Sequence, residues 1–180
     1  MADPMDDLEF AVEHDVPIPY IKRISTYYQT LGYGKPYLWA QYTHVPFTPL
    51  KKPLKDSRVS LITTAAPYQP DKGDQGPGAP YNSAAKFYRV YTDNIEGEPD
   101  VRVSHIGIDR KHTTATDSNT WFPLKQLKRL AAAGRIGELA PNFIGAPTNR
   151  SQKVTIEQDA AEILAHVRQA GSDAAVIVAN

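Results

Sequence analysis

Apolar positions along the chain fall into two periodicities. From Pro17 to Leu31 they recur at Ile18, Ile21, Ile24, Tyr28 and Leu31, a helical stripe opened by prolines and stopped at Gly32. From Tyr33 to Pro53 the pattern dissolves into prolines and aromatics, including Tyr37, Trp39, Tyr42 and Phe47, which predicts an extended arm. Arg58-Val-Ser-Leu-Ile-Thr-Thr64 is a short β-branched run and predicts a buried strand. Pro67 to Pro80, rich in Gly, Pro, Asp and Gln, predicts a mobile surface loop. A second strand is expected at Phe87 to Tyr91, a turn at Asp93 to Pro99, and a third strand at Val101 to His105.

The helical period returns after Pro123, with Leu124, Leu127, Leu130 and Ala131 on one side and Gly134 as a left-handed stop. Lys125, Lys128 and Arg129 take the other, solvated face, and Arg135 to Arg150 shows no period and is expected only to connect. Thr155-Ile-Glu-Gln158 fits a capping box for a helix whose stripe is Ile156, Ala160, Ile163, Leu164 and Val167. His166 lies beside that stripe, where a charged imidazole would suit the helix end. Ala174 to Ala179 is apolar on both alternations, as expected of a central parallel strand covered on both faces.

Strand, loop, helix and strand alternate after residue 58, which predicts a three-layer α/β sandwich with a mostly parallel sheet. The expected division is residues 1–54 as helix and arm and 55–180 as the α/β domain, the first half of a longer fold ending at its central strand. Twenty basic residues balance twenty acidic ones, which argues against nucleic acid as a partner. No apolar run approaches the roughly 20 residues of a membrane span, and the acidic start Met1-Ala-Asp-Pro-Met-Asp-Asp is unlike a secretory signal, so a cytoplasmic protein is expected. The absence of cysteine removes disulfides, thiolate metal sites and a cysteine nucleophile from these residues.

The chemistry concentrates between Val103 and Pro123. His105, Asp109 and His112 are spaced four and three apart and could hold Zn²⁺ or Fe²⁺ with open positions. They could equally do acid–base work, with Asp109 or Asp117 orienting an imidazole and Asn119 holding a substrate carboxylate or carbonyl. Asp117 also suits a cap before the Pro123 helix. Thr63 and Thr64 end a strand, at the edge where open α/β sheets gather ligands, and Arg150 is a further candidate for binding substrate. His44 is read as a packing or surface residue.

Several of these stretches together resemble a known family. They are Pro49-Leu-Lys-Lys-Pro-Leu-Lys-Asp-Ser-Arg-Val-Ser-Leu-Ile-Thr-Thr-Ala-Ala66, Arg102-Val-Ser-His105 with Asp109, His112, Asp117 and Asn119, Trp121-Phe-Pro-Leu-Lys-Gln-Leu127, and Gly134-Arg-Ile-Gly-Glu-Leu-Ala140. The set is similar to the selenoprotein B component of glycine, sarcosine and betaine reductase and to the related D-proline reductase subunit. The resemblance implies reductive C–N cleavage of an amino-acid-like substrate held by a pyruvoyl group on a partner subunit. It also implies attack by a selenocysteine or cysteine that follows a strand like Ala174 to Ala179, and His105, Asp109, His112 and Asp117 lining the pocket.

On that reading the nucleophile lies beyond Asn180, in a chain truncated at a selenocysteine codon or cut there, with other subunits or a C-terminal fragment as partners in an oligomer. A complete chain that has lost the reductive chemistry is a third reading. The alternatives are a metal-dependent hydrolase or lyase using His105, Asp109 and His112, and a non-catalytic subunit that docks a partner through Tyr37 to Phe47.

Overall fold

The computed structural model describes residues 17, 19–33, 42–77, 79–103, 115–148 and 151–179. The chain forms two compact units, Met1–Val45 and Pro46–Asn180. In the first, the expected helix α1 spans Tyr20–Thr30 and ends at Leu31, with Gly32 at φ +78°.

The second unit is built on β1 (Arg58–Thr63), all but its first residue buried. β7 (Ala174–Val178) runs parallel along one side of it, from Val59↔Ala174 to Thr63↔Val178. Two short parallel strands share the other side, β5 (Glu138–Leu139) beside its start and β6 (Asn142–Gly145) beside its end. β3 (Tyr91–Asn94) pairs antiparallel with β6. A separate antiparallel pair joins β2 (Ala66–Pro67) to β4 (Val101–Arg102).

Side chains alternate across β1, so its two faces bury different partners. Val59 and Leu61 join Phe143 of β6 in a core closed by Trp121, Phe122 and Ile136 and by Leu124 and Leu127 of α2 (Leu124–Ala132). Ser60, Ile62 and Ile144 are also buried, facing the opposite way. α3 (Gln152–Val154) runs through a π-helical turn at Thr155–Asp159 into α4 (Ala160–Gln169), and Ile144 on that face lines a cleft with His166 and Gln169 of α4. Ser172, just after α4, shares a 2.7 Å hydroxyl contact with Ser60, and Arg58 Nη1 donates to the Ala170 carbonyl at 2.8 Å. Helices on both faces of a mostly parallel sheet give the expected sandwich. Gly134, at φ +66°, ends α2 as expected.

Five expectations need correction. Residues 135–150 do form a layer, since β6 is buried at the heart of the sheet. Its four residues are too short for a periodic signal, and burial comes from its neighbours. The second strand begins at Tyr91 rather than Phe87, because Gly145 leaves room for the Tyr91 ring only in that register.

The helix cap is Ser151, whose Oγ accepts from Val154 N–H at 3.3 Å, and Thr155 lies inside the helix. β7 has one neighbour, not two, among the described residues, and Ile177 is 69% exposed and Val176 36%. The stripe on α4 is likewise only partly covered, with Leu164 and Ile156 exposed.

Candidate functional site

Because β1, β6 and β7 are parallel, their carboxyl ends share one edge, where an open α/β sheet places its working loops. Three loops converge on a cleft there. The first leaves β1 through Thr64 and Ala65, the second carries Gln75, Lys86 and Phe87, and the third leaves β6 through Ala146 to Thr148, while Arg102 and Val103 line the cleft from β4 onward.

The cleft is small, about 30 Å³. Its back wall is Tyr91, whose ring lies where a side chain at position 145 would be, since a Cβ on Gly145 would sit 1.7 Å from Tyr91 Cε1. Edge contacts to Phe87 and Phe143, with centroids at 5.5 and 5.9 Å, fix the ring. The Tyr91 hydroxyl donates to the Ala65 carbonyl at 2.6 Å. Burial, reinforced by Asp93, pushes its pKa well above the ordinary phenol value, so Tyr91 stays a neutral donor.

The loop read as mobile is pinned instead. The buried Gln75 amide donates to the Gln69 carbonyl at 2.7 Å and accepts from Gln69 N–H at 3.0 Å, which satisfies that backbone as a neighbouring strand would. The Gln69 side chain donates to the Ala85 carbonyl at 2.7 Å, carrying the restraint to Lys86. Lys86 Nζ donates to Thr148 Oγ1 at 3.3 Å and lies 5.4 Å from the centre of the Tyr81 ring.

Arg102 pairs with Asp100 through both Nε and Nη2 and stacks over Tyr68 at 4.9 Å. The Asp100 hydrogen bond raises the pKa of its guanidinium, so Arg102 stays charged.

The two threonines expected at this edge differ in position. Thr63 is fully buried, and its hydroxyl donates to the Trp121 carbonyl at 2.7 Å and accepts from Ala65 N–H at 3.1 Å, tying β1 to the start of α2. Thr64 lines the cleft. Asp117 caps the turn Ser118–Thr120, accepting from Asn119 N–H and from Asn119 Nδ2, both at 2.9 Å. These bonds, backbone first, lower its pKa below the ordinary 3.8.

A second cleft of about 290 Å³ lies where Arg102 and Val103 meet Ala115, Ser118 and Trp121. Among the described residues the buried Trp121 Nε1 and Asn119 Oδ1 find no hydrogen-bond partner.

His105, Asp109, His112 and Arg150 lie outside the described residues, as do residues 37–41 of the aromatic arm. Among the described residues no group of three or more His, Cys, Asp or Glu could hold a metal ion. No helix among them is long and apolar enough to cross a membrane.

Lys86, Arg102 and Gln75 were not legible as site residues. Lys86 follows an irregular stretch, Arg102 read as an ordinary strand position, and Gln75 read as loop.

Comparison with known proteins adds two findings. The sequence pattern of the glycine/sarcosine/betaine reductase selenoprotein B family matches residues 28–180. D-proline reductase subunit gamma from Acetoanaerobium sticklandii is 33% identical over 136 residues, covering 74% of this chain and 53% of the relative. The chain thus spans about half the length of that relative. No solved structure matches. With the family pattern covering nearly everything from the end of α1 through β7, this chain belongs to the glycine/sarcosine/betaine reductase selenoprotein B family.

Proposed function

We propose that the chain is part of a reductase subunit that cleaves a C–N bond in an amino-acid-type substrate of the glycine, betaine or D-proline kind. The observation that carries this reading is the family match over residues 28–180, supported by the identity to a D-proline reductase subunit.

Residues 1–180 contain no cysteine, so a selenocysteine or cysteine beyond Asn180, with a pyruvoyl group on a partner subunit, would supply the electron-pair chemistry. Net, the substrate gains two electrons and two protons, and its C–N bond becomes one C–H and one N–H. The chain's own contribution is to position substrate and to move a proton. His105 or His112, oriented by Asp109, would deliver a proton to the departing nitrogen, since an imidazole titrates close to neutral pH. Thr64, Asn119 and Arg150 are the substrate-binding candidates, and Asp117 holds the turn that leads into α2.

Partner subunits are part of the proposal. The exposed Val176 and Ile177 on β7 and the partly covered α4 stripe support a polypeptide neighbour on that side of the sheet.

The test is reconstitution. The chain is mixed with the second half of the relative as a separate polypeptide and with the remaining reductase subunits. Consumption of D-proline and of glycine betaine with a dithiol as reductant is then followed by proton NMR. Consumption that requires the chain and falls at least tenfold on His105→Ala is the expected result. No consumption, under conditions where the intact relative is active, removes the reading.

A further inference from the structure

We infer that β7 is a docking edge, on which the polypeptide equivalent to the other half of the D-proline reductase relative adds a parallel strand. The inference rests on the reductase reading only for the identity of that occupant. The open edge itself follows from the sheet.

Register comes first. β7 pairs with β1 and, among the described residues, with no other strand. Thr64 N–H donates to the Val178 carbonyl at 3.1 Å, so Val178 turns its backbone toward β1. Successive residues of a strand turn their N–H and C=O groups to opposite sides, which leaves those of Ala175 and Ile177 directed at the open edge.

Composition comes second. The edge runs Ala174-Ala-Val-Ile-Val-Ala179, with no charged residue and no proline to blunt it. The opposite side of the sheet is blunted. There β5 is two residues long and carries Glu138 in an ion pair with Arg58, and β3 presents Thr92, Asp93 and Asn94, all exposed. Of these edges β7 alone has the makeup of a paired strand.

Coverage comes third. Val176 lies beside Leu61 and Ile177 beside Ile62, so the two side chains sit on opposite faces, and both are exposed. Parallel sheets are covered on both faces. Leu164 is exposed as well, on α4, which flanks Ile144, the partner of Ile62 in β6. A strand with its own flanking helices covers both faces, whereas a lone helix covers only one.

The occupant follows from length. This chain spans 53% of the D-proline reductase gamma subunit, so about half of that relative has no counterpart here. A strand from that half continues the parallel order of β1, β5, β6 and β7. A second copy of this chain would instead set β7 against β7 about a two-fold axis, as an antiparallel pair.

The experiment co-expresses the full chain, carrying a tag, with the other half of the relative as a separate polypeptide. Amide hydrogen exchange is then read by NMR on the chain alone and on the purified complex. In the chain alone the Ala175 and Ile177 amides should exchange at least about tenfold faster than those of Val176 and Val178, which face β1. In the complex that difference should vanish. Ala175→Pro removes an outward N–H and should cut recovery of the second polypeptide at least about tenfold, leaving the unfolding curve of the chain alone unchanged. Ala175→Val keeps the N–H and should retain the complex.

Protection of Ala175 and Ile177 in a chain that light scattering shows to be monomeric would overturn the docking edge. So would a complex in which they still exchange freely, a complex indifferent to Ala175→Pro, or loss of the fold in that variant, since the amide would then be in use within the chain. Failure to co-purify, or protection that comes from dimers of the chain alone, overturns the proposed occupant. Failure here alongside substrate consumption in the reconstituted assay discards the docking edge and spares the reductase reading. A complex protected at Ala175 and Ile177 that consumes neither D-proline nor glycine betaine, with the remaining subunits present, keeps the edge and discards that reading.

Discussion

The substitution Gly145→Ala tests the packing that shapes the cleft. An alanine Cβ would lie 1.7, 2.2 and 2.3 Å from Tyr91 Cε1, Cζ and Cδ1, whereas ordinary carbon contacts begin near 3.5 Å. The ring must therefore retreat by roughly 2 Å. β6 cannot move instead, because it is held on both sides, by β1 and by β3.

Overpacking of this kind costs about 1–3 kcal/mol. The retreat also breaks the 2.6 Å bond from the Tyr91 hydroxyl to the Ala65 carbonyl, worth about 0.5–1.5 kcal/mol. The sum is about 2–4 kcal/mol, or a fall in Tm of roughly 4–16 °C for a chain of this size. Thermal unfolding followed by circular dichroism reads it directly.

The decisive arm is a double-mutant cycle with Tyr91→Ala. Once the ring is gone, adding Gly145→Ala should change stability by no more than about 0.5 kcal/mol, leaving a coupling of at least about 1.5 kcal/mol. An equal cost in both backgrounds would refute the reasoning.

Three further predictions follow from the same geometry. Thr63→Val keeps the shape of the buried side chain but leaves the Trp121 carbonyl and the Ala65 N–H without their partner, so a loss of about 1–3 kcal/mol is expected in urea unfolding. Asp173 is held below its ordinary pKa of 3.8, first by Lys52 Nζ at 2.8 Å and then by the Arg58 N–H at 2.8 Å. Its folded value being the lower one, its contribution is complete above 3.8 and disappears as pH falls through the folded value. Asp173→Asn should therefore lower the neutral plateau of a Tm-against-pH curve while leaving its strongly acidic end unchanged, so that the acid limb becomes shallower. Ile177→Lys, at a site 69% exposed, should leave chain stability within about 0.5 kcal/mol while abolishing co-elution with the second half of the relative in gel filtration.

Local chemistry decided much of this protein before any tertiary contact was considered. The β-branched run at 58–64, the stripe and glycine stop around α2 and the apolar segment at 174–179 each specify their own conformation, and their alternation specifies an α/β sandwich. The motifs around Trp121 and Gly134 likewise carried the family without a structure.

Tertiary structure decided the rest. β6 is buried although its four residues carry no period, because β1 and β3 flank it. Gln75 immobilises a loop of Gly and Pro because its amide meets the backbone of Gln69, six residues away. Thr63 and Thr64 are identical neighbours in the sequence, yet one is bonded into the core and the other lines the cleft. Lys86 and Arg102 are 16 positions apart, and only the convergence of three loops on one sheet edge brings them to a single cleft. Periodicity reports which face a residue turns inward, whereas a site depends on which distant segments meet, and that is set by strand order and register.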